Sequence, residues 1–267
     1  MRVYPIASGS SGNCIYVGWK DRHFLIDAGV SRKKIVEGLR QIDVAPEQIQ
    51  ALFITHEHSD HISGLRVFTK DLEVPVYATE KTLDAIVAKE GGKEMDTRYF
   101  HPVCPDKAVD IHGAQVTPFH ISHDAADPVG YTIAGDGYKM ALATDLGVYD
   151  SYTMEHIRDA QILLLEANHD ISMLEVGRYP YQLKRRILGD KGHLSNVASG
   201  RLLCEIFNDK MKHIVLAHLS KEHNYPKLAY QTVWNHLMME YGSGFENKIC
   251  NITVAKRDVP SEMVTVS

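Results

Sequence analysis

The chain has 267 residues, 44% of them apolar and 24% charged, a size and balance within reach of one large α/β domain spanning 1–267. No apolar run approaches the roughly 20 residues of a membrane helix, and Met1 to Ser10 has neither the basic start nor the apolar stretch of a secretory signal, so a soluble cytoplasmic protein without a membrane partner is expected. The net charge of −5 argues against a uniformly basic surface that wraps nucleic acid, while leaving room for a local positive field.

Short β-type runs bounded by turn signals open the chain: Val3 to Ala7, Cys14 to Trp19, Phe24 to Asp27 and Ala51 to Thr55. An amphipathic stretch from Ser31 to Arg40 lies between the last two, with Ser31 as N-cap and Ile35, Leu39 and Ile42 on one face. A helix over Ile62 to Lys70, a strand over Val74 to Tyr77 and a helix over Thr79 to Lys89 follow, the last ended by Gly91-Gly92. Strands are expected at Val109 to Ile111, Ala114 to His120, Pro128 to Ala134, Tyr138 to Thr144 and Ile162 to Glu166, with Gly135-Asp136-Gly137 as a hairpin turn. The last third reads as helices near Tyr181 to Leu188, Leu194 to Phe207 and Lys227 to Tyr241, with strands Ile214 to Ala217 and Ile252 to Ala255. Strands and helices at this density predict a sheet core covered by helices. The four cysteines, Cys14, Cys104, Cys204 and Cys250, have no paired spacing and are expected as buried free thiols.

The fifteen histidines cluster. In the run His56-Glu57-His58-Ser59-Asp60-His61 the extended period of two sends His56 and His58 to one side, where they can share a cation. Asp60 and His61 are adjacent, so the chain must turn before both can serve the same centre. Such a donor set suits Zn²⁺, Mn²⁺ or Fe²⁺. Four ligands do not complete two sites, and the ends of later strands offer His123, Asp145 and His218, with His120 as a rival to His123. Asp145 is suited to bridge, because a carboxylate has two oxygens that can span the roughly 3.5–4 Å of a two-metal hydrolase.

The H-x-H-x-D-H run, Asp27 closing a strand and the later His, Asp and His donors resemble the metallo-β-lactamase fold, an αββα four-layer sandwich of two mixed sheets flanked by helices. Gly9-Ser10-Ser11-Gly12-Asn13-Cys14, Ile121-Ser122-His123-Asp124-Ala125, Pro128-Val129-Gly130-Tyr131, Ala143-Thr144-Asp145-Leu146-Gly147, Glu166-Ala167-Asn168-His169-Asp170, Gly192-His193-Leu194-Ser195-Asn196 and Ala217-His218-Leu219-Ser220 narrow the match. In that order, over nearly the whole chain, they resemble the YycJ family, also called WalJ or VicX. The resemblance implies a cytoplasmic DNA exonuclease that degrades from a 5′ end and takes part in mismatch repair. It also implies the ligand set His56, His58, Asp60, His61, His123, Asp145 and His218.

Charge accounting independently favours a phosphodiester. Two divalent ions, the carboxylates of Asp60 and Asp145 and a bridging hydroxide leave the centre near +1, where an anionic diester is welcome. His193 resembles the histidine that RNA-processing relatives of the superfamily place near the leaving oxygen, so it is expected as general acid or phosphate ligand. Glu166 or Asp170 would orient it, and Glu166 joins Asp60 and His193 as a catalytic candidate. Lys184, Arg185, Arg186 and Lys191 form a local basic stretch that could follow a nucleic-acid backbone or simply face solvent. Ser10, Ser11, Asn13 and Ser220 would be aimed by the fold at the same edge as substrate contacts, and His169 supports a ligand or touches substrate. Hydrolysis of a thioester or lactone would use the same metals and is the rival reading. A redox di-iron centre ordinarily has a carboxylate where this chain has His58, and the full ligand set argues against an inert scaffold.

Overall fold

The computed structural model describes residues 1–89, 95–242, 245 and 250–267; the expected helix end at Gly91-Gly92 lies outside them. Strands β1 (Arg2–Ala7), β2 (Cys14–Trp19), β3 (Arg22–Ile26), β4 (Ala51–Phe53), β5 (Val76–Thr79) and β6 (Phe100–Val103) come first. They are followed by β7 (Val109–Ile111), β8 (Ala114–His120), β9 (Val129–Gly135), β10 (Tyr138–Ala143), β11 (Ile162–Glu166), β12 (His213–Ala217), β13 (Asn251–Val254) and β14 (Val264–Thr265). Two seven-stranded sheets result, ordered β14-β1-β2-β3-β4-β5-β6 and β13-β12-β11-β10-β9-β8-β7. In each, one half pairs antiparallel and the other parallel, with the change of direction at β3 in the first and at β10 in the second.

The helices are α1 (Arg32–Arg40), α2 (Ser59–Ile62), α3 (Leu65–Thr69), α4 (Glu80–Lys89), α5 (Ser151–Ile157), α6 (Ile171–Val176), α7 (Tyr181–Leu188), α8 (Asn196–Ile206) and α9 (Pro226–Tyr241). Three separate apolar clusters fill the three spaces between four layers. One joins Leu25, Leu52 and Val76 of the first sheet to Ile35, Leu39, Phe68 and Leu83 of its outer helices. The second lies between the sheets, where Val17, Phe24 and Phe53 meet Tyr131, Ile133 and Leu164. The third joins Leu163, Leu165 and Leu216 to Leu202, Leu203, Val233 and Leu237. Strand β11 shows the cause: it is buried along both faces, so Ile162-Leu163-Leu164-Leu165 is a continuous apolar run whose alternate side chains enter different cores. The architecture is α/β, an αββα four-layer sandwich.

Most expected elements stand within a residue or two of their places. Ser31 caps α1 by accepting from Lys34 N at 3.4 Å. Asp136 and Gly137 have φ of 51° and 81° and connect paired Gly135 and Tyr138, the geometry of a type I′ hairpin. The helix expected over Ile62 to Lys70 is instead two short helices, because at Gly64 the backbone N–H donates to Ala28 O and fastens the break to the β3 loop. Strands β6 and β14 and helices α5 and α6 were not legible: Phe100-His101-Pro102-Val103 carries a proline and lies at a sheet edge, and β14 is only two residues long. The cysteine expectation needs correction, since only Cys14 is buried while Cys104 is exposed and Cys204 and Cys250 are partly covered. Cys104 lies in the loop between β6 and β7, while Cys204, near the end of α8, and Cys250, just before β13, pack against the third core and stay partly covered.

Candidate metal centre

The histidine run leaves β4 extended: His58 has φ −63° and ψ 150° and caps the following turn. Helix α2 then begins at Ser59, and its first turn brings Asp60 and His61 back beside His56. Backbone bonds lock this turn to two neighbouring loops, with Asn13 N donating to Asp60 O at 2.8 Å, Gly29 N to Asn13 O at 2.7 Å and Ala28 N to His61 O at 2.9 Å. The fit is so close that a Cβ on Gly29 would sit 1.6 Å from Asp60 O.

Asp145 and His218 follow β10 and β12 in the left-handed region, at φ 59° and 56°, and Asp27 does the same after β3 at φ 61°. Non-glycine residues rarely adopt this conformation, which costs about 1 kcal/mol or more at each position. It turns the side chains out of the strand direction and across the end of the sheets.

The seven expected donors come together there. His56, His58 and His123 form one group, Asp60, His61 and His218 another, and Asp145 lies with His56 and His61; within each group the ligand atoms are within 4.8 Å of one another. Asp145 Oδ2 is 3.4 Å from His61 Nε2, while its Oδ1 is 3.7 Å from His123 Nε2 and 3.5 Å from His218 Nε2. His58 turns Nδ1 toward His123 Nε2 at 3.3 Å. His56 Nε2, His218 Nε2 and Asp145 Oδ2 are buried without a hydrogen-bond partner. Buried polar atoms are ordinarily satisfied, so nitrogen and carboxylate donors left open and converging fit divalent cations. His120 is exposed, with Nδ1 3.6 Å from Asp127 Oδ1, and takes no place in these groups.

Behind the donors stands a second set of bonds that orients the rings. His61 Nδ1 donates to Asp27 Oδ2 at 2.8 Å, and Asp27 also accepts from Thr55 N and Thr55 Oγ1. His218 Nδ1 donates to Glu166 Oε1 at 2.8 Å, His123 Nδ1 to Gly192 O at 3.2 Å, and His218 N to Ser8 Oγ at 3.0 Å. Each of these ring bonds is made by Nδ1 and turns Nε2 toward the centre. Burial alone would push His61 down, but the carboxylates of Asp27, Asp145 and Asp60 outweigh it and hold the imidazole well above its ordinary range. His218 is likewise held up to about 10 by Asp145, Asp60 and Glu166 against the effect of burial. His56, buried and facing other imidazoles, is pushed well down. The carboxylates that raise His61 and His218 give the centre an excess of negative charge, which cations would neutralise.

Glu166 is completely buried. Oε2 accepts from Leu146 N at 2.8 Å and Leu194 N at 3.0 Å, and Oε1 accepts from His193 Nδ1 at 2.9 Å in addition to His218. With every lone-pair direction taken, it holds both imidazoles by Nδ1. Asp170 does not orient His193, because its carboxylate caps α6 by accepting from Met173 N at 2.9 Å. Asn13 presents Nδ2 to His61 Nε2 at 3.1 Å and to Asp60 Oδ2 at 3.4 Å, and its Oδ1 accepts from Gly9 N. Ser220 Oγ accepts from His223 N at 3.3 Å. Ser10 and Ser11 are exposed, Ser11 Oγ lying 3.2 Å from Asp258 Oδ1. Arg185 is exposed, and Arg186 holds Asp124 by two bonds. His169 is buried with neither ring nitrogen partnered, and burial lowers its pKa to about 4. Sequence reasoning assigned no role to Ser8, Thr55 or Glu57, whose carboxylate accepts from Ala126 N and pins the loop that carries His123.

A family model described as a beta-lactamase superfamily domain matches residues 22–218. The exodeoxyribonuclease YycJ of Bacillus anthracis is 39% identical over 239 residues, covering 90% of this chain and 89% of that protein. The exodeoxyribonuclease WalJ of Streptococcus pneumoniae is 37% identical over 245 residues, 91% of each. Among solved structures, Zn²⁺-bound PqqB from Methylobacterium extorquens superposes with a TM-score of 0.71 at 17% identity, over 98% of this chain and 100% of that one, a likeness of fold. The sandwich, the converging donors and the length of these matches together place the chain in the metallo-β-lactamase superfamily, as a member of the YycJ/WalJ family.

Proposed function

We propose that the protein is a cytoplasmic DNA exonuclease that works from a 5′ end in mismatch repair or related DNA processing, with residues 1–267 acting as one unit. Two divalent cations, Zn²⁺ or Mn²⁺ with Fe²⁺ as a further candidate, would be held by His56, His58 and His123 on one side and Asp60, His61 and His218 on the other, with Asp145 between them. The observation that carries this reading is the meeting of that donor set, with His56 Nε2, His218 Nε2 and Asp145 Oδ2 buried and unpartnered, beside a partly exposed His193 3.6 Å from Asp145. The names of the full-length relatives supply DNA as the substrate.

Bound cations would activate water and stabilise the charge that develops on a phosphodiester. The protein's own groups do the rest. Asp60 reaches toward solvent more than Asp145 does, with Asn13 beside its Oδ2, and would orient the attacking water and accept its proton. Glu166 holds His193 by Nδ1 and leaves Nε2 to donate a proton to the departing sugar oxygen. Ser10, Ser11, Arg185 and Arg186 would meet the strand, with Asn13, His169 and Ser220 supporting them from behind.

The test is incubation of wild type, Asp60→Asn and His193→Gln with 5′-phosphorylated duplex DNA, single-stranded DNA, RNA and a thioester, in Mn²⁺ or Zn²⁺. Wild type should shorten DNA from the 5′ end. His193→Gln should lower kcat by about 10²-fold, the lower range for a general acid, and Asp60→Asn at least as much. Thioester turnover without nuclease activity overturns the proposal, and equal nuclease activity in Asp60→Asn means the activity is not this protein's.

A further inference from the structure

The connection from Glu166 to His193 leaves the sheet, forms α6 and α7, and returns to the centre. Helix α7 has eight residues and none is buried, although Leu183, Ile187 and Leu188 give it an apolar side. Half of the exposed large apolar side chains among the described residues lie on this excursion or on the adjoining loop: Ile171, Val176 at 86% exposure, Tyr181 at 73%, Leu188 and Tyr225 at 50%. The adjoining loop is fastened to it, since Tyr179 packs edge-on against His223 with ring centroids 4.2 Å apart and Asp170 N donates to His223 O. A folded chain ordinarily scatters such residues singly; their concentration marks a binding surface.

Two further facts select the occupant. Residues 171–192 carry Arg178, Lys184, Arg185, Arg186 and Lys191 against only Glu175 and Asp190, a local positive balance in a chain of net charge −5. The excursion is also continuous with the metal centre: Gly192 O accepts from His123 Nδ1, Ser122 Oγ donates to Asp190 O at 2.7 Å, and Arg186 grips Asp124, whose Oδ1 is 3.6 Å from His123 Nε2. Aromatic faces among cations, leading to a hydrolytic centre, are what an unpaired polynucleotide end requires, because each base offers a π-face and each phosphate a charge. A paired end keeps its bases stacked on one another, so only the face of its terminal pair is open to an aromatic ring, whereas an unpaired end can offer successive bases.

We propose that α6, α7 and the start of α9 form a stacking platform for single-stranded DNA, on which Tyr181 and Tyr225 carry the bases next to the scissile phosphate while Arg185 follows the backbone. The platform gives the enzyme a preference for an unpaired or frayed end, without base specificity. It rests on the nuclease reading above.

The test compares kcat/KM of the metal-loaded, full-length protein for a 5′-phosphorylated single-stranded 12-mer, at about that length, with kcat/KM for bis(p-nitrophenyl) phosphate, which has no neighbouring bases. In Tyr181→Ala the ratio of the two should fall about tenfold, in keeping with loss of one base stack, and Tyr181→Trp should restore it. Tyr225→Ala provides an independent second variant, and Arg185→Gln should reduce the slope of log affinity against log salt by about 0.7, one released counterion on a single strand. An unchanged ratio in both tyrosine variants overturns the platform while leaving the nuclease intact. Absence of any diester hydrolysis by wild type overturns the nuclease reading and the platform with it. Binding to anionic phosphatidylglycerol vesicles as tight as to the 12-mer identifies a membrane-facing surface instead.

Discussion

Glu166→Gln tests whether a buried carboxylate sets the tautomers of two functional histidines. Its two oxygens divide the work: Oε2 accepts from the backbone N–H groups of Leu146 and Leu194, and Oε1 from Nδ1 of His193 and His218. Glutamine has nearly the same shape but must present an NH₂ to one of those pairs. Facing the backbone donors would leave buried N–H groups opposed to N–H, at about 1–3 kcal/mol each, so the amide oxygen is expected there and the NH₂ against the imidazoles. The rings then have to carry their proton on Nε2, which in His218 is the atom turned toward the centre. Loss of such an outer partner lowers metal affinity about 10- to 100-fold, or about 1.4–2.7 kcal/mol. The assay is competition for Mn²⁺ or Zn²⁺ against a chromophoric chelator, with melting in excess chelator to check that the metal-free fold survives and kcat measured at saturating metal. Asp27→Asn is the comparator: it disturbs His61 without touching His193, so it should weaken metal binding and spare more of kcat. Wild-type metal affinity and wild-type kcat in Glu166→Gln would refute the reasoning.

Gly29→Ala should abolish or severely weaken metal binding and destabilise the fold by several kcal/mol, on the order of an overpacking change or more, because its Cβ would overlap Asp60 O. Gly137→Ala, by contrast, meets nothing within 4 Å and should cost only about 1 kcal/mol for its left-handed backbone, as read by chemical denaturation; equal effects would discredit the steric argument. Removal of metal by chelator should lower the melting temperature, since ions at about 100 times their Kd stabilise the folded state by about 2.7 kcal/mol, and readdition of Mn²⁺ should restore it. Under native conditions at pH 8 a thiol reagent should label Cys104 first and Cys14 only after unfolding, because burial holds the Cys14 thiol far above its ordinary range and inaccessible; rapid native labelling of Cys14 would contradict its position in β2.

Much of this protein is written locally. The hairpin at Asp136-Gly137, the cap at Ser31 and the run from His56 to His61 depend on neighbours a few residues away, and a period of two or a left-handed turn follows from the residues alone. The strand-end positions of His123, Asp145 and His218 were also legible, and the rivalry with His120 was not, because two histidines on either side of a turn differ only in where the turn aims them. Roles were the least legible part. Glu166, expected beside His193, also holds His218, Asp170 is a helix cap, and Asp27 gains its meaning from His61, 34 residues away.

What tertiary structure alone decided are the contacts that join distant segments: Glu166 with His218, Ser8 with the backbone of His218, Glu57 with Ala126, and Gly192 with His123. They exist because the two sheets end at the same edge and the chain leaves several strands in left-handed turns. A side chain's type is a local property, but whether its free atom faces a cation, a backbone N–H or water depends on which other segment is folded against it.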